Sequence, residues 1–145
     1  QSFNWQPLFE LQKLDPKIKT AYLVGYDDVE RMHSSNVKQA GLWSGGKLLK
    51  DYNNSIPQMI KSLGGSCYEP EDVSLTKADL DEAHSLGLKV VVWPWPEHSG
   101  RAFDAKLVDK LISWGVDGII TDDPGALVSM LAARGYPVPK RYDAK

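Results

Sequence analysis

A chain of 145 residues fits one domain with room for a real core, and 42% apolar with 25% charged residues is ordinary globular composition. Seventeen basic against nineteen acidic side chains leave a net charge of −2, which argues against a nucleic-acid binder, because phosphate neutralisation needs clustered Lys and Arg. No apolar run approaches the roughly 18 residues of a membrane span, and the lone Cys67 rules out an internal disulfide.

Gln1-Ser2-Phe3 reads as the end of a strand, because a helical pattern follows at once. In WQPLFELQKL, Leu8, Leu11 and Leu14 recur every three residues until Asp15-Pro16 ends the helix. IKTAYLV, Ile18 to Val24, is the next strand. Gly25 to Asn54 then breaks the rhythm. Polar and rich in Gly, Ser and Asn, it reads as an insertion at about 25–54, with a helical part around Val29 to Ala40. GSCYE around Cys67 is a further strand.

Leu75-Thr76 opens LTKADLDEAHSLG, which sets Leu80, Ala83 and Leu86 on one side and stops at Gly87. LKVVVWPW, Leu88 to Trp95, follows as a strand. Its continuous Val90-Val91-Val92 suits burial on both faces, as in parallel sheets. Asp104 can cap DAKLVDKLISWG, whose stripe is Leu107, Leu111 and Trp114. DGIITD, Asp117 to Asp122, is the last strand, and Asp123-Pro124 opens PGALVSMLAARG with proline at the first helical position. Pro137 and Pro139 keep the tail extended.

Five β-to-α steps in succession build either an open doubly wound sheet or a barrel. The chain 1–145 reads as a single domain. In a barrel, the insertion would lie at the C-terminal ends of the strands, on the face that carries active sites. No signal-peptide pattern occurs, and the opening residue is Gln1 rather than methionine, which leaves both a removed leader and an upstream portion open. The compartment is not legible.

Few residues qualify for chemistry. Asp122 stands where the last strand ends, either bonding loop amides or lining a pocket, while Asp123 caps the final helix. Asp117, at the other end of that strand, is structural. Trp93, ending its strand, can form an apolar wall, and Phe3 is a second wall candidate; Trp95 shares that side only if the strand survives Pro94 and Pro96. His84 lies on a helix, His98 beside Glu97 and Arg101 on a loop, and His33 in the insertion, with no ligand spacing among them. Cys67, on an apolar strand, is a packed thiol. There is no Gly-x-Ser-x-Gly elbow, and Gly45-Gly46-Lys47 lacks the spacing and the following Ser or Thr of a phosphate loop.

Three stretches in order carry a resemblance. Gly115 to Asp122 with Pro124 resembles the last strand of the glycerophosphodiester phosphodiesterase family. Ala83 to Trp93, AHSLGLKVVVW, resembles that family's run into strand seven. Gln1 to Trp5, with Asp15-Pro16 and Thr20 to Leu23 after it, resembles strand four and the next step. The resemblance implies a partial TIM-type (β/α) barrel of about five parallel strands, lacking the first three βα units. A complete barrel of this type takes about 250 residues. The family's His-Arg-Gly, Glu-Asn-Thr and Glu-x-Lys signatures, which carry its metal ligands and catalytic histidines, do not occur here, and Trp93-Pro94-Trp95-Pro96 replaces the usual Trp-Thr.

The resemblance therefore implies a portion of a phosphoric diester hydrolase that gives scaffold and pocket wall, with substrate-binding Phe3, Trp93 and Asp122, no catalytic residue and no metal ligand. The divalent cation (Mg or Ca) implied for the complete barrel would be bound elsewhere. Five strands cannot close a barrel, so the expected partner is the N-terminal barrel portion or a second copy of the chain, and the expected ligand is a glycerophosphodiester-like small molecule. The alternative is a non-catalytic, self-associating half-barrel serving as a binding or assembly module.

Overall fold

The computed structural model describes residues 1–96, 100 and 103–139. Trp5 is fully buried; its indole N–H donates to the Leu23 carbonyl at 3.2 Å and fixes the chain entering α1 (Gln6–Leu14) against the sheet. Pro7 is tolerated in the first turn, where backbone donors lack helical partners anyway. Asp15, extended before Pro16, ends the helix as expected. Of its leucine stripe, Leu8 is buried, Leu11 half-buried and Leu14 exposed.

Four parallel strands form one sheet in chain order: β1 (Ala21–Val24), β2 (Cys67–Pro70), β3 (Lys89–Val92) and β4 (Gly118–Ile119). Sequential order without reversal is the topology of a barrel wall, not of a doubly wound sheet with its switch point. The strand end expected at Gln1-Ser2-Phe3 is present as one parallel bridge, Ser2 to Tyr22, on the outer edge of β1. β4 is shorter than Asp117 to Asp122 because it has a neighbour on one side only. Asp117 and Ile120 still donate to Val90 and Val92, so the extended segment outlasts the ladder.

Between β1 and β2 the insertion folds as α2 (Tyr26–Met32), α3 (Val37–Ala40) and a 3-10 turn over Leu49–Tyr52, and α4 (Ile56–Ser62) follows it. The helical part expected around Val29 to Ala40 comes as two helices, because Asn36 accepts from Lys38 and Gln39 and starts α3 afresh. The spacing above does not single out α4. Its signals are local nonetheless: the Ser55 hydroxyl caps it, Pro57 lies in its first turn, and Ile56, Met59 and Ile60 are buried. α5 (Lys77–Ser85), α6 (Ala105–Trp114) and α7 (Pro124–Ala132) match the remaining patterns, with Thr76, Asp104 and Asp123 as side-chain caps.

Period-two alternation divides the sheet. Tyr22, Val24, Tyr68, Val90 and Val92 are buried, and they share one core with Trp5, Leu8, Met59, Ile60, Leu80, Leu107 and Leu111 of the helical layer. Ala21, Leu23, Cys67, Val91 and Trp93, on the opposite face, remain half-buried. So the continuous valine run is covered on one side only among the described residues. α7 shows the same lack of cover, since it is strongly apolar yet has no buried residue. Among the described residues, no helix is long and apolar enough to cross a membrane.

Candidate functional site

The C-terminal ends of the strands converge on a cleft of about 340 Å³ lined by Phe3, Trp93, Pro94, Trp95, Ile120, Thr121 and Asp122. All three residues singled out from the sequence thus line one cleft, although they are distant in the chain. β3 carries Trp93 there, extended by a bridge between Trp93 and Glu71 of the β2 end. The indole N–H of Trp93 donates to the Glu69 carbonyl at 2.8 Å, which sets the ring's tilt. Phe3 meets that ring edge-on, 5.3 Å between centroids and 88° between planes, and Trp95 lies 6.4 Å from it. Trp95 therefore stays beside Trp93 despite the flanking prolines.

The two neighbouring carboxylates divide their work. Asp123 accepts from the Ala126 N–H at 2.8 Å and caps α7, while its own N–H donates to the Thr121 hydroxyl. Asp122 is exposed and lines the cleft; none of the hydrogen bonds among the described residues uses its carboxylate. Asp117 sits at the opposite end of β4, where His84, Lys89 and the Val90 N–H all bond its oxygens. Burial pushes its carboxyl up, but those bonds outweigh burial and hold it below the ordinary range.

The end of β2 adds carboxylates that no sequence motif singles out. Glu69 and Glu71 are only 5% and 1% exposed. Glu71 accepts from the Tyr26 N–H at 2.9 Å. Asp28 accepts from the Gly25 N–H at 3.0 Å and pairs with Arg31 at 3.1 Å. A Cβ on Gly25 would lie 3.3 Å from the Asp28 carboxylate and 3.7 Å from the Trp93 ring, so the site is closely filled there. The Gln1 amide reaches the Glu69 carboxylate at 3.1 Å. Burial pushes the Glu69 carboxyl up, and burial likewise raises Asp28. The signal available in the sequence was CYEPED, carboxylates at the C-terminal end of a parallel strand, where barrel sites lie.

Among the described residues, no group of three or more His, Cys, Asp or Glu side chains is disposed to hold a metal ion, and Glu71 and Asp28 already serve backbone N–H groups. Among the described residues, no donor set is in place for the divalent cation implied by the family resemblance. Cys67 is half-buried on β2, and burial, followed by the neighbouring Glu69, pushes its thiol up to about 12, which keeps it protonated. His33 lines a separate small cavity in the insertion; His98, Glu97 and Arg101 lie outside the described residues. What the cleft offers is an aromatic wall for an apolar or polyol surface and one exposed carboxylate that can accept hydrogen bonds from hydroxyls.

A family model described as the glycerophosphoryl diester phosphodiesterase family matches residues 1–126. Among solved structures, a protein assigned as a glycerophosphoryl diester phosphodiesterase from Silicibacter pomeroyi is similar with a TM-score of 0.67 and 28% identity, over 92% of this chain and 37% of that one. A glycerophosphodiester phosphodiesterase from Parabacteroides distasonis gives a TM-score of 0.60 and 25% identity, over 93% of this chain and 43% of that one. A protein assigned the same activity from Galdieria sulphuraria shares the fold at 21% identity and a TM-score of 0.58, over 90% of this chain and 42% of that one. The chain therefore spans about two fifths of the length of these structures. A search of curated proteins gave no match.

Proposed function

Because the chain belongs to the glycerophosphoryl diester phosphodiesterase family, we propose that it forms the pocket wall and half the scaffold of a phosphodiester hydrolase whose reactive groups lie in the remaining barrel portion. The observation that carries this reading is the convergence of Phe3, Trp93 and Asp122 on one cleft at the strands' C-terminal ends. In the assembled barrel the aromatic rings lie along the carbon face of a glycerol unit and Asp122 accepts from its free hydroxyls. Water adds at phosphorus, the bond from phosphorus to the leaving alcohol's oxygen breaks, and the water proton ends on that oxygen. On this reading, the groups that move the proton and the divalent cation implied for the complete barrel belong to the portion carrying the His-Arg-Gly, Glu-Asn-Thr and Glu-x-Lys signatures.

The test is complementation. The purified chain is assayed alone, then together with a separately produced N-terminal portion of a family barrel, for glycerol 3-phosphate release from a glycerophosphodiester. Activity only in the mixture, with a raised KM for Trp93→Ala, is expected. Release of glycerol 3-phosphate by the chain alone would show that it holds its own catalytic groups.

A second reading is favoured by two surfaces, the apolar α7 without a buried residue and the half-buried sheet face. A self-associating, non-catalytic half-barrel would cover both surfaces with a second copy. Sedimentation of the bare chain as a stable dimer that stays inactive when the N-terminal portion is added would select it.

A further inference from the structure

The insertion contains a tight loop whose apolar side chains face outward. The Gly46 N–H donates to the Gly41 carbonyl at 2.9 Å and closes the loop over residues 41–46. The Trp43 carbonyl accepts from the Trp5 N–H at 2.8 Å, which pins the loop to the start of α1, two residues after the cleft residue Phe3. Gly45 is pressed so closely on α1 that a Cβ there would fall 2.5 Å from the Phe9 ring. Ser44, fully buried, bonds the Lys47 carbonyl. A loop held this firmly could tuck its apolar side chains inward, yet Val37, Leu42 and Trp43 are 59%, 56% and 37% exposed.

Charge is arranged to the same end. Residues 36–50 contain Lys38, Lys47 and Lys50 and no Asp or Glu, in a chain whose net charge is −2. All three lysines are exposed, and none takes part in an ion pair among the described residues. Exposed Leu and Trp flanked in sequence by exposed lysines is the composition that enters the interface of an anionic bilayer. A polar protein partner would not call for the apolar tip, and a neutral one would not call for the lysines.

We propose that the loop 41–46, with α3 before it, docks the chain on an anionic phospholipid surface through Val37, Leu42 and Trp43 and the flanking lysines. The loop lies in the insertion that follows β1 and is held against α1. The proposal stands on the loop and not on the phosphodiester reading, because vesicle binding needs no turnover.

The experiment is flotation of the full chain with phosphatidylcholine vesicles with and without phosphatidylserine. Recovery with the phosphatidylserine vesicles, weakening with added salt, is expected. The double variant Leu42→Ser, Trp43→Ser and the triple variant Lys38→Gln, Lys47→Gln, Lys50→Gln should each lower partition about tenfold or more. Trp43→Phe should keep partition but lose the part of the tryptophan fluorescence that brominated acyl chains quench, a readout that misfolding does not mimic. Absence from phosphatidylserine vesicles, equal recovery with pure phosphatidylcholine, or undiminished partition of both variants would overturn the proposal.

Discussion

Trp93 joins structure and site in one side chain, with its ring edge on Phe3 and its indole N–H on the Glu69 carbonyl. Trp93→Ala should destabilise the chain by about 1–3 kcal/mol, less than for a fully buried tryptophan because Trp93 is only partly buried and lines the cleft. Trp93→Phe, which keeps the ring contact and loses only the hydrogen bond, should lose about 1 kcal/mol. Urea denaturation separates the two; equal losses would mean that the ring contact contributes nothing. Glu69 makes a prediction about pH. Its carboxyl is raised by burial, so the folded state binds its proton more tightly than the unfolded chain does. The stability that comes from the protonated form is complete below the unfolded value of about 4.3 and is lost as pH rises through the folded value. Glu69→Gln mimics the protonated form. It should raise the melting temperature at neutral pH, and the gain should vanish near the unfolded value.

Among the elements, α4 and β2 depend on a glycine whose role is steric. A Cβ on Gly65, in the turn between them, would lie 2.5 Å from Ile60 Cγ2 and 2.7 Å from the Tyr22 ring. Both side chains belong to the buried core, so they cannot swing away. Gly65→Ala should therefore destabilise by about 1–3 kcal/mol through overpacking, with a thermal melt as the check. Caps were legible because they are local: Thr76, Asp104 and Asp123 each accept from the N–H three residues on. α4 shows that the same signals can be overlooked inside a polar segment, where Ser55 and Pro57 stand beside only a short apolar pattern. Strand lengths were less legible, because a ladder needs a neighbour. Nothing in DGIITD tells that only Gly118–Ile119 would be paired.

At the scale of the molecule, the sheet has one fully covered face among the described residues, and α7, packed against α6, keeps its apolar residues no more than half-buried. Left alone, such a molecule should bind a dye specific for exposed apolar surface and should scatter light as more than one chain. Addition of an N-terminal barrel portion should abolish both signals if the two complete one core. A bare chain that is monomeric and does not bind the dye would contradict this.

Composition, periodicity and caps are properties of neighbours in sequence, so the order of strands and helices and the family pattern could be read from the residues themselves. Phe3, Trp93 and Asp122 could be picked as strand-end residues for the same reason, but only as separate candidates. Their meeting in one cleft was decided by parallel register from the Ser2 bridge through β1 to β4, which no local pattern encodes. The same holds for Glu69 and Glu71: a carboxylate after a strand is unremarkable until folding buries it. Burial depends on which distant segments pack against a residue, and in this chain that was a matter for tertiary structure alone.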